Sequence, residues 1–157
     1  MERNDYLKML VEEMHSTTMA TIGADGHPQT RVIDMMLWDK KGVYFLKAKG
    51  KAFYAQLMEQ GYVAISATKD KKAVSLRGRI QNIHSEKLDE IFEKNPYMQK
   101  IYPGDTRAAL EVFRVYEAEG EYFDITRIPA VIDQHQCLHC GRCAETCPRG
   151  TIRKRGQ

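Results

Sequence analysis

The only four cysteines of this 157-residue chain fall in one run, Cys137-Leu-His-Cys140-Gly-Arg-Cys143-Ala-Glu-Thr-Cys147-Pro148. This C-x2-C-x2-C-x3-C-P spacing is that of thiolates holding a cubane iron–sulfur cluster. Three thiolates spaced three residues apart wrap one compact cube, Gly141 permits a tight backbone close to sulfur, and Pro148 stops the local turn from continuing. Electron transfer through a 4Fe–4S cluster held by Cys137, Cys140, Cys143 and Cys147 is the first function to consider.

Two other uses of thiols compete with it. Structural zinc also takes thiolates, but its Cys pairs are normally separated by a long loop that this short run lacks. A disulfide framework staples distant segments of a secreted chain. Here the cysteines are crowded together, and the N-terminus Met-Glu-Arg-Asn-Asp-Tyr-Leu-Lys is charged, without the apolar run of a signal peptide or membrane span. The expectation is a cytoplasmic protein in a reducing, low-oxygen cell, with no membrane partner.

The net charge of +3 becomes informative when the chain is divided at Pro129. Residues 130–157 hold five bases (Arg142, Arg149, Arg153, Lys154, Arg155) and two acids (Asp133, Glu145), so the upstream residues carry 19 of each sign. All the excess sits beside the cysteines, where it compensates four thiolates and tunes the cluster potential. An acidic redox protein could also dock there. A short basic tail is more often simply solvated, and nucleic acid is not expected as a partner.

With 43% hydrophobic residues, the remainder of the chain can bury a real core that would carry such a module. Tyr6, Leu7, Leu10, Val11 and Met14 recur at helical spacing after an Asn4/Asp5 cap region. From Thr17 the period changes to two. Thr18 to Ile22 reads as a strand, Ala24-Asp25-Gly26 as a turn, and Gln29 to Leu37 as the hairpin partner. After the turn Asp39-Lys-Lys-Gly42, Val43 to Leu46 is a third strand, and Lys51 to Glu59 a helix with Phe53, Leu57 and Tyr54 facing inward.

Tyr62 to Thr68 and Ala73 to Ile83 form two further strands around Lys69-Asp-Lys-Lys72, with Gly78 marking a bend or a close backbone approach. Ser85 is expected to cap a helix that Asn95-Pro96 ends near Lys94. Leu110 to Glu117 and Tyr122 to Thr126 are expected to pair across a Glu119-Gly120 turn. About six strands with short helices imply a mainly β fold, a small antiparallel barrel closed so that few edges stay exposed. Thr126-Arg-Ile-Pro129 has no Gly or Ser run, so the cysteine module should dock near the last strand, giving a barrel domain over residues 1–128 and a cluster module over 129–157.

The barrel portion resembles the pyridoxamine 5'-phosphate oxidase-like FMN-binding split barrels. The resemblance lies in Met19-Ala20-Thr21, Asp25-Gly26-His27-Pro28, Arg31-Val32-Ile33-Asp34, Gly42-Val43-Tyr44-Phe45-Leu46, and Lys51 with Gln56-Leu57. Residues 130–155 are similar to one half of a two-cluster bacterial ferredoxin. The first resemblance implies FMN held at a homodimer interface. It matches Arg31 and Lys51 to the bases gripping the FMN phosphate, where a guanidinium fork and an ammonium suit a dianion. It matches Val32, Ile33 and Asp34 to the strand lining the isoalloxazine ring. Phe45, Leu46 and Lys47 match the next strand, where the family often places a hydroxyl that Leu46 and Lys47 do not supply. Tyr122 and Phe123 are candidates to cap the partner's flavin, although strand aromatics are usually core.

The segment that reads substrate in true pyridoxamine phosphate oxidases is replaced here by the ferredoxin half, so vitamin B6 oxidation is not expected. No Gly-x-Gly-x-x-Gly or Walker-type loop occurs, so NAD(P)H, if used, must meet the flavin transiently. His15, His27, His84, His135 and His139 are scattered and assemble no catalytic set. In two-cluster ferredoxins the fourth cysteine of each run serves the other cluster. Two chains meeting across a twofold axis could therefore exchange Cys147, or each could use its own.

The functional expectation is an FMN-dependent oxidoreductase that relays electrons between the cluster and a small-molecule donor or acceptor, with flavins or nitro compounds as substrates. A non-catalytic electron carrier or redox sensor is the alternative. A haem-binding barrel is the third class.

Overall fold

Alternation is the first feature the sequence imposes on the backbone. In Ser16–Ile22 (β1) Thr17, Met19 and Thr21 are buried while their neighbours are exposed or half-buried. The computed structural model describes residues 2–124 and 126. The chain divides into two units, Met1–Ile125 and Thr126–Gln157. The cysteine run, its basic tail and the expected 128/129 boundary lie outside the described residues.

The first unit is mostly β, as expected. The strands are β1, β2 (Pro28–Asp34), β3 (Leu37–Asp39), β4 (Gly42–Ala48), β5 (Tyr62–Lys69), β6 (Lys72–Asn82) and β7 (Leu110–Asp124). They form one antiparallel sheet in the order β2-β1-β5-β6-β7-β4-β3. The sheet wraps around a core that includes Leu10, Met19, Phe45, Val63, Ile65 and Phe113. Its two end strands, β2 and β3, are consecutive in the chain. They share no ladder among the described residues, so the barrel is split there instead of closed.

The expected strand from Gln29 to Leu37 is broken at that split. Met35 donates its backbone N–H to His15 and Met36 donates to Tyr44, both at 2.8 Å, so the chain crosses from one sheet edge to the other through two buried methionines. The N-terminal helix also differs from expectation. Glu2, with Asp5 in a reciprocal capping box, starts α1 (Arg3–Lys8), which continues into a π-helical turn over Met9–Met14. The wide turn, closed by His15 N–H to Leu10 O at 2.9 Å, lets Met9, Leu10 and Val11 all be buried in succession.

Helix α2 (Ala52–Gln60) buries Phe53 and Leu57, leaves Tyr54 half-buried, and ends on Gly61 in the left-handed region. Helix α3 (Leu88–Lys94) begins later than expected. Ser85 does not cap it; Lys87, at φ 65°, breaks the chain before it, and the Lys87 ammonium is held by Asp39 and Glu90 at 3.2 and 3.3 Å. Asn95 ends α3 as the sequence suggests, and α4 (Met98–Ile101) follows. These helices cover the outer face of β4 and β7 in a second apolar cluster of Tyr44, Leu46, Ile91, Phe92, Met98 and Val112.

The largest departure is β7. The two short strands expected around Glu119-Gly120 are one strand, paired with β6 from Phe113 to Asp124 and with β4 from Leu110 to Val115. Gly120 marks a close approach, since a Cβ there would collide with the Ser75 carbonyl. The bend falls earlier, where the register shifts between Arg77 and Arg79 and Glu117 takes φ 44°. Gly78 sits in that bulge against Ala118, the close approach its position implied.

Candidate functional site

On β2 and β4 the inner face of the barrel changes from apolar to cationic toward one end. Along β2, Gln29, Arg31 and Ile33 are more buried than the intervening Thr30 and Val32. Along β4, Val43 and Phe45 belong to the barrel core and Lys47 continues their face. Helix α2 begins just after Lys51 and drives Phe53 beneath both strands. The Arg31 guanidinium carbon lies 4.4 Å from the Phe53 ring centroid and the Lys47 ammonium 5.4 Å from it.

A relay of side chains fixes the guanidinium. Thr21 Oγ1 donates to Gln56 Oε1 at 2.8 Å, Gln56 Nε2 donates to Gln29 Oε1 at 3.1 Å, and Arg31 Nη2 donates to the same Gln29 oxygen at 3.2 Å. Arg31 Nη1 is buried and has no hydrogen-bond partner. A buried donor without an acceptor is costly, and a charged one more so.

Burial pushes the Lys47 pKa down, and the positive charges of Arg31 and Lys51 push it further in the same direction. Among the described residues none of these three cations is ion-paired, whereas nearby Lys49 has Glu111 at 3.5 Å. Helix α2 also starts without a side-chain cap. Three cations without acid partners, one of which carries the orphaned donor, are an arrangement that suits a multiply charged anion, and the planar fork suits phosphate.

The other residues singled out from the sequence do not join this corner through their side chains. Val32 is 72% exposed on the outer face, while Ile33 is buried in the barrel core. Asp34 accepts hydrogen bonds from Ser16 Oγ at 2.6 Å and Tyr97 OH at 3.2 Å. Phe45 is fully buried and stacked on Phe113 at 5.4 Å, and Leu46 faces the second apolar cluster. Tyr122 packs on Tyr6 with ring centroids 5.3 Å apart, and Phe123 is half exposed. The relay residues Thr21, Gln29 and Gln56 were not assigned roles from sequence. Their signal was spacing: Gln29 shares a strand face with Arg31, and Gln56 lies one helical turn after Phe53.

Residues 4–124 match the family model of pyridoxamine 5'-phosphate oxidase. The chain belongs to that family. Within it, a pyridoxine/pyridoxamine 5'-phosphate oxidase of Paracidovorax citrulli is 27% identical over 93 residues, covering 58% of this chain and 41% of the relative. One of Burkholderia multivorans is 26% identical over 100 residues, covering 62% and 47%. This family member thus spans less than half the length of the curated relatives it matches. Its fold is shared by a NimC/NimA family protein of Clostridium acetobutylicum, at TM-score 0.69 and 18% identity over 80% of this chain and 90% of that one.

Residues 129–152 match a 4Fe-4S binding domain. The family and the cluster domain together are consistent with redox function. Among the described residues no helix is long and apolar enough to cross a membrane, and no group of three or more His, Cys, Asp or Glu is placed to hold a metal ion.

Proposed function

We propose that the protein is an FMN-dependent oxidoreductase of the reducing cytoplasm. It relays electrons between a 4Fe–4S cluster held by Cys137, Cys140, Cys143 and Cys147 and a flavin whose phosphate sits in the Arg31–Lys47–Lys51 corner. The observation that carries the flavin half is the buried, partnerless Arg31 Nη1 among three cations that lack acids. A phosphate oxygen supplies the missing acceptor. The relay through Gln29, Gln56 and Thr21 keeps the fork oriented before the ligand arrives, so little ordering entropy is spent on binding. The stretch Val32–Asp34 is the expected lining of the ring. Bound FMN supplies the exchange between one-electron and two-electron chemistry, and the protein supplies orientation, charge and exclusion of water.

A homodimer fits the outer surface. Thr18, Ala20, Thr30, Val32, Ala64 and Ser66 make an uncharged patch of mostly small side chains across β2, β1 and β5, bordered by Asp34 on β2 and Arg77 on β6. Such a face suits a second copy better than it suits water. The acceptor is a small molecule such as a free flavin or a nitro compound, and an acidic redox protein docking on the basic tail is a suitable donor.

The test is the iron, acid-labile sulfide and FMN content of anaerobically purified protein. About four irons, four sulfides and one FMN per chain are expected. Turnover with NAD(P)H or a reduced ferredoxin and a nitro acceptor then establishes the enzyme; both cofactors with no turnover make it an electron carrier. Zinc without sulfide, or no FMN after reconstitution, overturns the reading.

A further inference from the structure

Lys47 is surplus to a minimal phosphate grip, and its surroundings make it a liability without ligand. It is half-buried, its ammonium leans on Phe53, and it has Arg31 and Lys51 as like-charged neighbours. Glu111, the one acid directly opposite it across the β4–β7 ladder, is held by Tyr54, Asn82, His84 and Lys49. A residue that crowds cations around itself weakens the empty fold and is relieved when an anion is present.

We propose that Lys47 is a specificity-determining residue, selecting a ligand with a terminal phosphomonoester dianion over the same ligand as an uncharged alcohol or a singly charged phosphodiester. The inference rests on the flavin reading above for the identity of the ligand, but not for the anion chemistry. Arg31 and Lys51 alone balance a dianion and tolerate a monoanion with one charge left over. With Lys47 added, a dianion leaves one uncompensated positive charge and a diester leaves two, in a half-buried site where like charges are poorly screened. The fork of Arg31 also needs two free oxygens, and the ammonium of Lys47 then requires a third acceptor that only a terminal phosphate offers without an ester substituent.

The experiment compares the full-length protein with Lys47→Met, which keeps the stem over Phe53 and removes the charge, and with Lys47→Arg, which keeps the charge. FMN, its monomethyl phosphate ester and riboflavin are titrated by quenching of flavin fluorescence, and ligand-free melting temperatures are recorded. The wild type should prefer FMN over the methyl ester by at least about tenfold, with Lys47→Met cutting the preference to about threefold or less and Lys47→Arg preserving it. Ligand-free Lys47→Met should melt at the same temperature as wild type or about 1–3 °C higher, the opposite of a structural residue.

Unchanged discrimination in Lys47→Met overturns the proposal, and so does a lower ligand-free melting temperature in that variant. If the wild type binds no flavin, the flavin reading fails by itself. Inorganic phosphate then becomes the probe. A phosphate-dependent rise in melting temperature that is lost in Lys47→Met still supports the inference, and one that survives overturns it.

Discussion

Lys47 and Glu111 face each other directly across the β4–β7 ladder, yet they form no ion pair. Cross-strand partners point to the same side of a sheet, so opposite charges there would ordinarily neutralise each other. Glu111 is otherwise engaged: it accepts hydrogen bonds from the Tyr54 hydroxyl and Asn82 Nδ2, lies 3.2 Å from His84 Nδ1, and pairs with Lys49 at 3.5 Å. The protein thus keeps an acid beside its cationic corner without discharging it.

Loosening that hold should reach the anion site. Tyr54→Phe removes the phenolic donor to Glu111 while retaining the edge-on contact with Phe113. The carboxylate, still held by Asn82, His84 and Lys49 but less tightly, gains freedom to turn to Lys47, and FMN affinity should fall by about 3- to 10-fold. Adding Glu111→Gln to that variant should recover most of the loss. Equal affinity in Tyr54→Phe and wild type, by fluorescence titration, would show that Glu111 does not compete.

Glu111 also gives the fold an acid-sensitive element. Burial alone would push its carboxyl up, but the hydrogen bonds from Tyr54, Asn82 and His84 and the Lys49 charge outweigh burial and hold it at about 2, against 4.5 unperturbed. A carboxylate with a depressed folded pKa stabilises fully above its unfolded value, and the contribution disappears as pH falls from about 4.5 toward 2. Glu111→Gln should therefore cost about 2–3 kcal/mol at pH 7, a difference that shrinks across that window. Urea midpoints at pH 7, 4 and 3 measure it, and a pH-independent difference would refute the linkage.

The parts of this molecule legible in the sequence are those governed by local periodicity. The alternation of β1, β5 and β6, the turn at Asp70-Lys71 and the Phe53/Leu57 face of α2 follow from side-chain spacing and turn chemistry alone. What was misread depends on partners distant in sequence. Gly120 looks like a turn until the Ser75 carbonyl is known to lie against it, and Met35-Met36 continues a strand pattern until His15 and Tyr44 claim their amides. The site divides the same way. Arg31, Lys51 and the strand position of Lys47 were recognisable by resemblance, whereas the Lys47 side chain took a place beside the other two cations only once β4 was seen to carry its inner face to the same end as β2.

The bulge that bends β7 can be tested through Gly78. A Cβ at that position would lie 2.9 Å from Ala118 Cα and the Tyr116 carbonyl oxygen, both backbone atoms with little room to yield. Gly78→Val should destabilise the protein by about 3 kcal/mol or more, through overpacking against backbone. Gly78→Ala should lose less. A urea midpoint unchanged in the valine variant would mean that the bulge opens freely.

The dimer prediction turns on Val32, which is 72% exposed although it lies in the middle of β2. Its nearest neighbours on that face, Thr18 and Thr30, are uncharged and Asp34 two residues on is acidic, so an aspartate there meets no cation among them, and in a twofold assembly it would bring two like charges into a desolvated contact. Val32→Asp should convert the dimer to a monomer by light scattering while leaving the fold intact, because the side chain is solvated in the free chain. If the flavin is shared between protomers, FMN affinity should fall with the dimer and become dependent on protein concentration, since a ligand bound only by the assembly is linked to it by mass action. A monomeric variant that retains tight FMN would place the whole ligand site within one chain. Dimeric Val32→Asp would move the contact to another face of the barrel.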